Sequence, residues 1–326
     1  MTLHIEGFEQ FANDNAVSGA LARAGYGFVG SVPTVVGSRS GYGLSVTSGY
    51  VYRDHPWSGA MFSVGCGIRF TERAALLGLQ FGDDGWVVLW MHPEDAQPRL
   101  NDAEGGSLPI INRFYYMEIE LNRAAQTATL FINGKEEVST SLTAAQAGAS
   151  EIRVCLGKIP AEHFTPDVPL PQASVITYDD FYIRSGARFG PLEVRTRFPL
   201  TTDHNDWYLY GGDSASGILR ERPPRPNDKY IGTDAAGKEA RVISSDPLPN
   251  LNAVLATGLV LLTRRSANTD LRIEGFIGGA PGGAARRQQT FTPDTKWRME
   301  YLAFEAVEGD NKDNIQAAPF GVESKD

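Results

Sequence analysis

The feature that most constrains this chain is the alternation of apolar and polar side chains with a period of two. Met117, Ile119 and Leu121 alternate with polar residues at 118, 120 and 122. Because successive side chains of a strand point to opposite faces, this pattern predicts a strand with one buried face. Residues 62–70 and 77–81 repeat it, and no amphipathic helical pattern reaches three turns. The sequence therefore predicts an all-β fold.

Turn signals separate the predicted strands. Asn133-Gly134 lies between residues 127–132 and 135–141, and this dipeptide favours the positive φ angles of a two-residue hairpin turn. Asp83-Asp84-Gly85 predicts a second tight turn. Four prolines fall within residues 158–173, which predicts a long ordered loop and excludes a central strand there.

The length of 326 residues exceeds what one domain usually contains, so two domains are expected. A predicted strand at residues 179–183 runs out into small residues and Pro191 at residues 185–191. We therefore predict two tandem antiparallel β-sandwich domains, residues 1–188 and 189–326.

The first half resembles the concanavalin A/laminin G-like jelly-roll family. The resemblance lies in an aromatic-rich strand at residues 114–122, the return strand with its Asn-Gly turn at 128–135, and a closing strand at 178–183. It implies that the first domain is a concanavalin A-like jelly roll. Because many functions share this fold, the resemblance alone specifies no activity.

The second half looks like the modules that follow such jelly rolls in virion proteins of tailed bacteriophages. The residues concerned are 190–194, 222–226, 228–231 and 319–323. The resemblance implies a non-enzymatic virion structural protein, a decoration, tail or fibre component located on the particle. Its expected partners are other virion proteins, further copies of itself in a homo-oligomer, and a host-surface glycan. A glycoside hydrolase of the same fold and a free-standing lectin are the alternatives.

The carboxylates Glu118 and Glu120 project from one face of one predicted strand, as a catalytic pair could. Glycosidases of this fold carry a third carboxylate further along the same face, where this chain has Asn122 and Ala124. We therefore predict no catalytic residue and interpret the pair as part of a solvated polar face.

Residues 86–91 are apolar on both faces of a predicted strand, with Trp86, Val88 and Trp90 on one side. One side has to face the sandwich core. The other needs cover from the 158–173 loop, the N-terminal segment, a neighbouring subunit or a glycan stacked on the indole rings. Our hypothesis is that Trp86, Val88 and Trp90 contribute in part to recognition of a partner.

Calcium is a candidate cofactor because laminin G-like domains often hold it with carboxylates. The candidate ligands are Asp83, Asp84, Asp179 and Asp180, with residues 203–206 as a further cluster. An aspartate in a turn also caps its own backbone, which is the competing interpretation. No other cofactor is expected, since the spacing of the five histidines and two cysteines fits no zinc pattern.

The net charge of −9 argues against nucleic acid as a partner, because phosphate backbones are bound by clustered basic residues. No apolar run approaches the roughly 20 residues of a membrane span. The N-terminal residues show no signal-peptide pattern, so assembly in a host cytoplasm is expected.

Overall fold

β-strands form most of the regular structure that the computed structural model describes. The described residues are 3–11, 17–39, 41–164, 166–171, 173–221, 226–244, 248, 253–266, 270–279 and 285–326. The all-β fold class predicted from the alternation is confirmed. Residues 222–225, part of the stretch 222–226 on which the resemblance to virion modules rests, lie outside the described residues.

The chain divides into two compact units, Met1–Val194 and Arg195–Asp326, whereas the sequence placed the division after Arg188. The segment after Arg188 belongs to the first unit because its backbone is bonded there. The amide of Gly190 donates to Glu118 and the amide of Val194 donates to Asp180.

The first unit contains fifteen strands and two short helices among its described residues. The strands are β1 (Leu3–Glu6), β2 (Gly27–Val29), β3 (Thr34–Gly37), β4 (Tyr42–Val46), β5 (Tyr50–Pro56), β6 (Met61–Phe70), β7 (Ala75–Gln80), β8 (Trp86–Met91), β9 (Pro98–Leu100), β10 (Ala103–Glu104), β11 (Tyr115–Asn122), β12 (Thr127–Ile132), β13 (Lys135–Ser141), β14 (Glu151–Gly157) and β15 (Ile176–Arg184). The helices are α1 (Val17–Arg23) and α2 (Ala144–Gly148), with 3₁₀ turns at Glu9–Phe11 and Ala161–His163.

These strands form two antiparallel sheets. The first sheet has the order β13-β12-β11-β6-β15-β4-β3, with β1 paired to β15. The second sheet has the order β10-β9-β8-β7-β14-β5-β2. Neighbours in both sheets are often distant in sequence, as in β6 with β15 and β14 with β5, which is the connectivity of a jelly-roll sandwich.

The core lies between the inward faces of the two sheets. In the pairing of β6 with β11, Met117 is opposite Cys66, Ile119 opposite Val64 and Leu121 opposite Phe62. All six side chains are fully buried. Each apolar side chain moved from water to such a site contributes about 1.5–3 kcal/mol. The alternation in the sequence therefore specifies which face of each strand packs inward.

The Asn133-Gly134 turn joins β12 to β13 as predicted. Asn133 has a φ of 51° and Gly134 a φ of 84°, the left-handed angles that a two-residue hairpin turn requires. The side-chain oxygen of Asn133 also accepts a hydrogen bond of 2.9 Å from the backbone amide of Tyr116. This contact ties the turn to β11.

The second unit is built from nine strands and two helices among its described residues. The strands are β16 (Thr201–Asn205), β17 (Tyr208–Tyr210), β18 (Tyr230–Gly232), β19 (Glu239–Ile243), β20 (Ala256–Thr263), β21 (Arg272–Ile277), β22 (Arg287–Phe291), β23 (Arg298–Glu305) and β24 (Phe320–Lys325). The helices are α3 (Ala215–Leu219) and α4 (Lys312–Ala317).

A five-stranded sheet, ordered β16-β19-β24-β21-β22, forms one layer of this unit. Two-stranded sheets are formed by β17 with β18 and by β20 with β23. A Cβ atom added at Gly275 of β21 would lie 2.2 Å from the Cδ1 atom of Leu302 in β23. The β20–β23 sheet therefore packs directly against the five-stranded sheet as a second layer.

No helix within the described ranges has both the length and the apolar character needed to cross a bilayer.

Phe62→Ala should lower the free energy of unfolding of the first unit by about 3–5 kcal/mol, because it leaves a cavity at a fully buried core position. Urea denaturation followed by tryptophan fluorescence measures the change. Leu108→Ala is the control, since Leu108 is 62% exposed and its removal should change stability by less than about 0.5 kcal/mol. A loss below about 1 kcal/mol for Phe62→Ala would contradict the inferred core.

His4 of β1 predicts a pH dependence of stability. The side chain is buried, and its Nε2 atom lies 2.8 Å from the hydroxyl of Tyr26. Burial, and then the positive charge of Arg53, hold the pKa of His4 well below 6.5. The unfolded chain therefore binds a proton below pH 6.5 that the folded chain does not.

Stability should fall as the pH drops below about 6.5, and the His4 contribution should approach about 1.4 kcal/mol per pH unit. Urea denaturation of wild type and His4→Gln between pH 7.5 and 5 measures this contribution as the difference in slope. Equal slopes of unfolding free energy against pH for the two proteins would contradict the prediction, because they would show that folding does not change how His4 binds its proton.

Candidate functional site

The outward face of the second sheet carries the aromatic residues that the sequence singled out. Val87, Leu89 and Met91 of β8 are fully buried in the core, so Trp86, Val88 and Trp90 point the other way. Along this outward face, Val88 lies opposite Gly78, Gly78 opposite Cys155, and Cys155 opposite Tyr52. The sheet therefore presents a second apolar surface away from the core.

The loop at residues 158–173, which we call the proline-rich loop, covers much of this surface with its described residues. Val88, Trp90, Ala75 and Cys155 form one buried cluster with Ile159 and Phe164 of the loop, and Val168 and Leu170 pack against it. A Cβ atom at Gly78 would lie 2.9 Å from Ile159, so the loop sits directly on the sheet. Val88 is 0% exposed and Trp90 is 1% exposed. Of the three candidate recognition residues, only Trp86 remains partly exposed.

Polar contacts hold Trp90 and the loop in place. The indole N–H of Trp90 donates to the backbone oxygen of Asn101 at 2.8 Å, and the side-chain oxygen of Asn101 accepts from the amide of Val88 at 2.8 Å. Arg99 lies 5.4 Å from the Trp90 ring and pairs with Asp167 of the loop at 3.4 Å. These contacts give Trp90 a structural role beneath the loop.

At the border of the loop, four rings form a continuous, partly exposed row that we call the aromatic strip: Tyr52, Tyr50 and Trp86 of the sheet and His163 of the loop. The ring centroids of Tyr52 and Tyr50 are 6.2 Å apart, and those of Tyr50 and Trp86 are 6.3 Å apart. His163 stacks on Trp86 at 4.5 Å with an interplanar angle of 14°. The loop thus buries one part of the face and adds a ring to the part it leaves open.

Polar groups flank the aromatic strip. The guanidinium of Arg153 lies 4.2 Å from the Tyr52 ring and donates to both carboxylate oxygens of Asp54, at 2.7 and 3.0 Å. The hydrogen bond to Asp54 raises the pKa of Arg153, which keeps the group charged. Burial raises the pKa of Tyr50, so its hydroxyl stays protonated at neutral pH and can donate as well as accept hydrogen bonds.

The outward face of the first sheet contains the Glu118–Glu120 pair. Glu118 is fully buried and accepts hydrogen bonds from the Tyr182 hydroxyl at 2.7 Å, the Gly190 amide at 2.9 Å and the Arg188 guanidinium at 3.2 Å. Glu120 accepts from the backbone amide of Arg188 at 2.9 Å. The Arg188 guanidinium also lies 3.9 Å from the Phe131 ring.

The expectation that this pair forms a solvated face is wrong for Glu118. Residues 186–190 fold back over the sheet after β15 and replace water with protein donors. Burial, and then the charge of Glu118, raise the pKa of Tyr182 well above 10, so its hydroxyl stays a donor to the carboxylate. The alternation in the sequence identified the face of Glu118, but nothing in it indicated that Tyr182 and Arg188 would meet there.

Among the calcium candidates, Asp179, Asp180, Asp203 and Asp206 contact other groups of the protein. Asp83 and Asp84 are exposed in the turn between β7 and β8, whereas Asp179 and Asp180 are fully buried in β15. One oxygen of Asp179 accepts from the Asp180 amide at 2.8 Å, and one of Asp180 accepts from the Val194 amide at 2.7 Å. In residues 203–206, Asp203 pairs with Arg241 and Asp206 with His204.

Within the ranges that the structure describes, no group of three or more histidine, cysteine or acidic side chains is arranged to hold a metal ion. The structure therefore supplies no ligand cluster for the calcium hypothesis in those ranges.

Comparison with known proteins gives likenesses to solved structures. No protein-family model and no curated protein matches the chain. An alginate lyase, Aly36B, in complex with alginate trisaccharide aligns over 56% of this chain and 98% of its own, at 13% identity and a TM-score of 0.40. A carbohydrate-binding module from Bacillus subtilis, CBM66, aligns over 48% of this chain and 94% of its own, at 9% identity and a TM-score of 0.29.

A sialidase aligns over 56% of this chain at 14% identity and a TM-score of 0.38, and the alignment spans only 18% of the sialidase's length. At such identities the likeness is one of fold, and the substrates of these proteins are theirs alone.

The prediction of a non-enzymatic virion structural protein is corrected by this comparison. The matching structures named above are carbohydrate-active enzymes and a carbohydrate-binding module, and none of them is described as a virion protein. The physical reason for the error is that alternating strands and turns specify a sandwich, and a sandwich hosts many functions. The supported part of the family resemblance is the jelly-roll fold.

Glu118→Gln should lower the free energy of unfolding by about 1.5–3 kcal/mol, because it removes the negative charge that faces the buried donors of Tyr182, Arg188 and Gly190. Urea denaturation at pH 7 measures the loss. Glu136→Gln is the matched control, since Glu136 is exposed in β13 of the same sheet. Unchanged or increased stability of Glu118→Gln would contradict the structural role of this carboxylate.

Proposed function

We propose that this chain is a carbohydrate-binding protein whose first unit binds a glycan along the aromatic strip. The observation that carries the proposal is the row of partly exposed rings, Tyr52, Tyr50, Trp86 and His163, on a sheet face whose remaining apolar area the chain itself covers. A surface of this kind is a binding site when it is rimmed by polar groups.

The chemistry of the strip suits a sugar ring. A pyranose has an apolar face of C–H groups and an edge of hydroxyls, so it needs an aromatic surface beside hydrogen-bonding groups. The indole of Trp86 and the ring of Tyr50 offer the surface. The Tyr50 hydroxyl and the Arg153–Asp54 pair offer donors and acceptors at its border.

The strip is also preorganised. His163 is stacked on Trp86, Tyr50 packs edge-on against Trp86, and Arg153 is fixed by two hydrogen bonds to Asp54. Rings held by one another lose little conformational entropy when a ligand binds, so more of the contact energy contributes to affinity.

We propose binding without cleavage of the glycan. Glu118, the buried member of the Glu118–Glu120 pair, already accepts three hydrogen bonds from its own chain. A general acid in a glycosidase has to reach the glycosidic oxygen of the substrate within hydrogen-bonding distance. The contacts of Glu118 support a structural role and leave the aromatic strip as the proposed site.

Trp86→Ala should weaken binding about tenfold or more, because one stacking ring contributes on the order of 1.4 kcal/mol. A glycan array with the wild-type protein selects the ligand, and isothermal titration calorimetry then compares the variants. Trp86→Phe should keep most of the affinity, since it retains a ring. Tyr42→Ala is the control, because Tyr42 is an exposed tyrosine of β4 in the other sheet.

Equal affinity of Trp86→Ala and wild type would place the glycan elsewhere on the protein. Absence of any glycan bound by the wild type would refute the proposed function. Release of reducing ends from the selected glycan would refute binding without cleavage, and a reducing-sugar assay detects it.

A further inference from the structure

The second unit carries an aromatic surface of its own, on the two-stranded sheet formed by β17 and β18. In this pairing Tyr210 lies opposite Tyr230, and Tyr208 lies opposite Gly232. Directly opposed residues of an antiparallel pair share a face, and so do residues two apart on one strand. Tyr208, Tyr210 and Tyr230 therefore lie on the same face of this sheet.

The rings continue into a column that ends on a cation. Tyr210 and Tyr230 are stacked, with centroids 4.3 Å apart and an interplanar angle of 17°. Tyr230 meets Trp297 edge-on at 6.4 Å, and the guanidinium of Arg264 lies 4.8 Å from the Trp297 ring. We call Tyr208, Tyr210, Tyr230, Trp297 and Arg264 the tyrosine column.

The open end of the column is accessible. Tyr208 is 59% exposed and Tyr210 is 43% exposed, which is unusual for two rings on one three-residue strand. Gly232 has no side chain to fill the space opposite Tyr208. A Cβ atom at Gly232 would lie 3.5 Å from the Tyr210 ring, so a larger side chain there would extend across the surface beside it.

The size of this surface fits a sugar better than a second copy of the chain. With a full ring surface of about 150–250 Å² each, the two exposed tyrosines present on the order of 200 Å². A stable dimer buries about 800 Å² per partner. One or two sugar rings match the smaller area.

The cation at the other end indicates the charge of the ligand. Arg264 is exposed, and its contact within the described ranges is the Trp297 ring, with no carboxylate in ion-pair distance. Arg298, which lies opposite the adjacent Thr263 in the pairing of β20 with β23, is by contrast paired with Asp294 at 2.8 Å. A guanidinium offers a carboxylate two parallel hydrogen bonds.

We propose that the tyrosine column is a second, separate glycan site and that it selects a carboxylated sugar. Tyr208 and Tyr210 stack on one or two sugar rings at the open end, and Arg264, which lies beyond Tyr230 and Trp297, binds the carboxylate of a further sugar of the same oligosaccharide. This site goes beyond the aromatic strip of the first unit and does not depend on it.

The test uses the full chain, with trigalacturonate as the charged probe and the neutral galactose trimer of the same linkage as its counterpart. Isothermal titration calorimetry at low salt measures both affinities. Wild type should prefer the charged probe by about tenfold or more. Arg264→Gln should remove that preference, and Tyr210→Ala should weaken both probes about tenfold.

Gly232→Leu provides an independent blocking variant, and Gly232→Ala is its matched control. The alanine Cβ makes ordinary van der Waals contact with the Tyr210 ring and should leave binding unchanged, whereas leucine should block it. Trp86→Ala should also leave binding of trigalacturonate at this site unchanged, which separates the two proposals.

Wild type that binds neither probe, or Arg264→Gln that keeps the preference, would overturn the proposal. Analytical ultracentrifugation gives the remaining decisive outcome. A dimer that Tyr208→Ala dissociates would assign the surface to a second copy of the chain and overturn the glycan site.

Discussion

The architecture of the first unit depends on one constraint: strand β8 is apolar on both faces and has to be covered twice. Its inward residues Val87, Leu89 and Met91 pack into the sandwich core. Its outward residues Val88 and Trp90 are covered by Ile159 and Phe164 of the proline-rich loop. Large apolar surfaces are unfavourable in water, so the position of this loop follows from the composition of the strand.

Because the chain covers its own sheets in this way, only part of each outward face remains open. Residues 186–190 close the first sheet over Glu118, and the proline-rich loop closes the second sheet over Trp90. The aromatic strip lies at the border of the loop, which reaches it through His163 and leaves its rings partly exposed. The proposed glycan site therefore lies beside the proline-rich loop, where rings remain partly exposed next to the Arg153–Asp54 pair.

Local features of the sequence predicted local structure well. The alternation specified the inward faces of β6 and β11, and Asn133-Gly134 specified the hairpin between β12 and β13. The proline-rich loop was among the expected covers of β8. The burial of Glu118 could not be predicted, because it depends on Arg188 and Gly190 returning about 70 residues later. The stacking of Tyr210 on Tyr230 likewise requires a pairing that no periodicity shows.

The central claim is that glycan binds at Trp86 and not at the covered Trp90. The protein has five tryptophans, so its indole N–H groups give few resonances in a two-dimensional ¹H–¹⁵N NMR spectrum. Titration with the glycan selected by the array should shift the Trp86 resonance progressively and leave those of the buried Trp57 and Trp90 in place. A shift of Trp90 with Trp86 unmoved, or no indole shift at saturating glycan, would contradict the account.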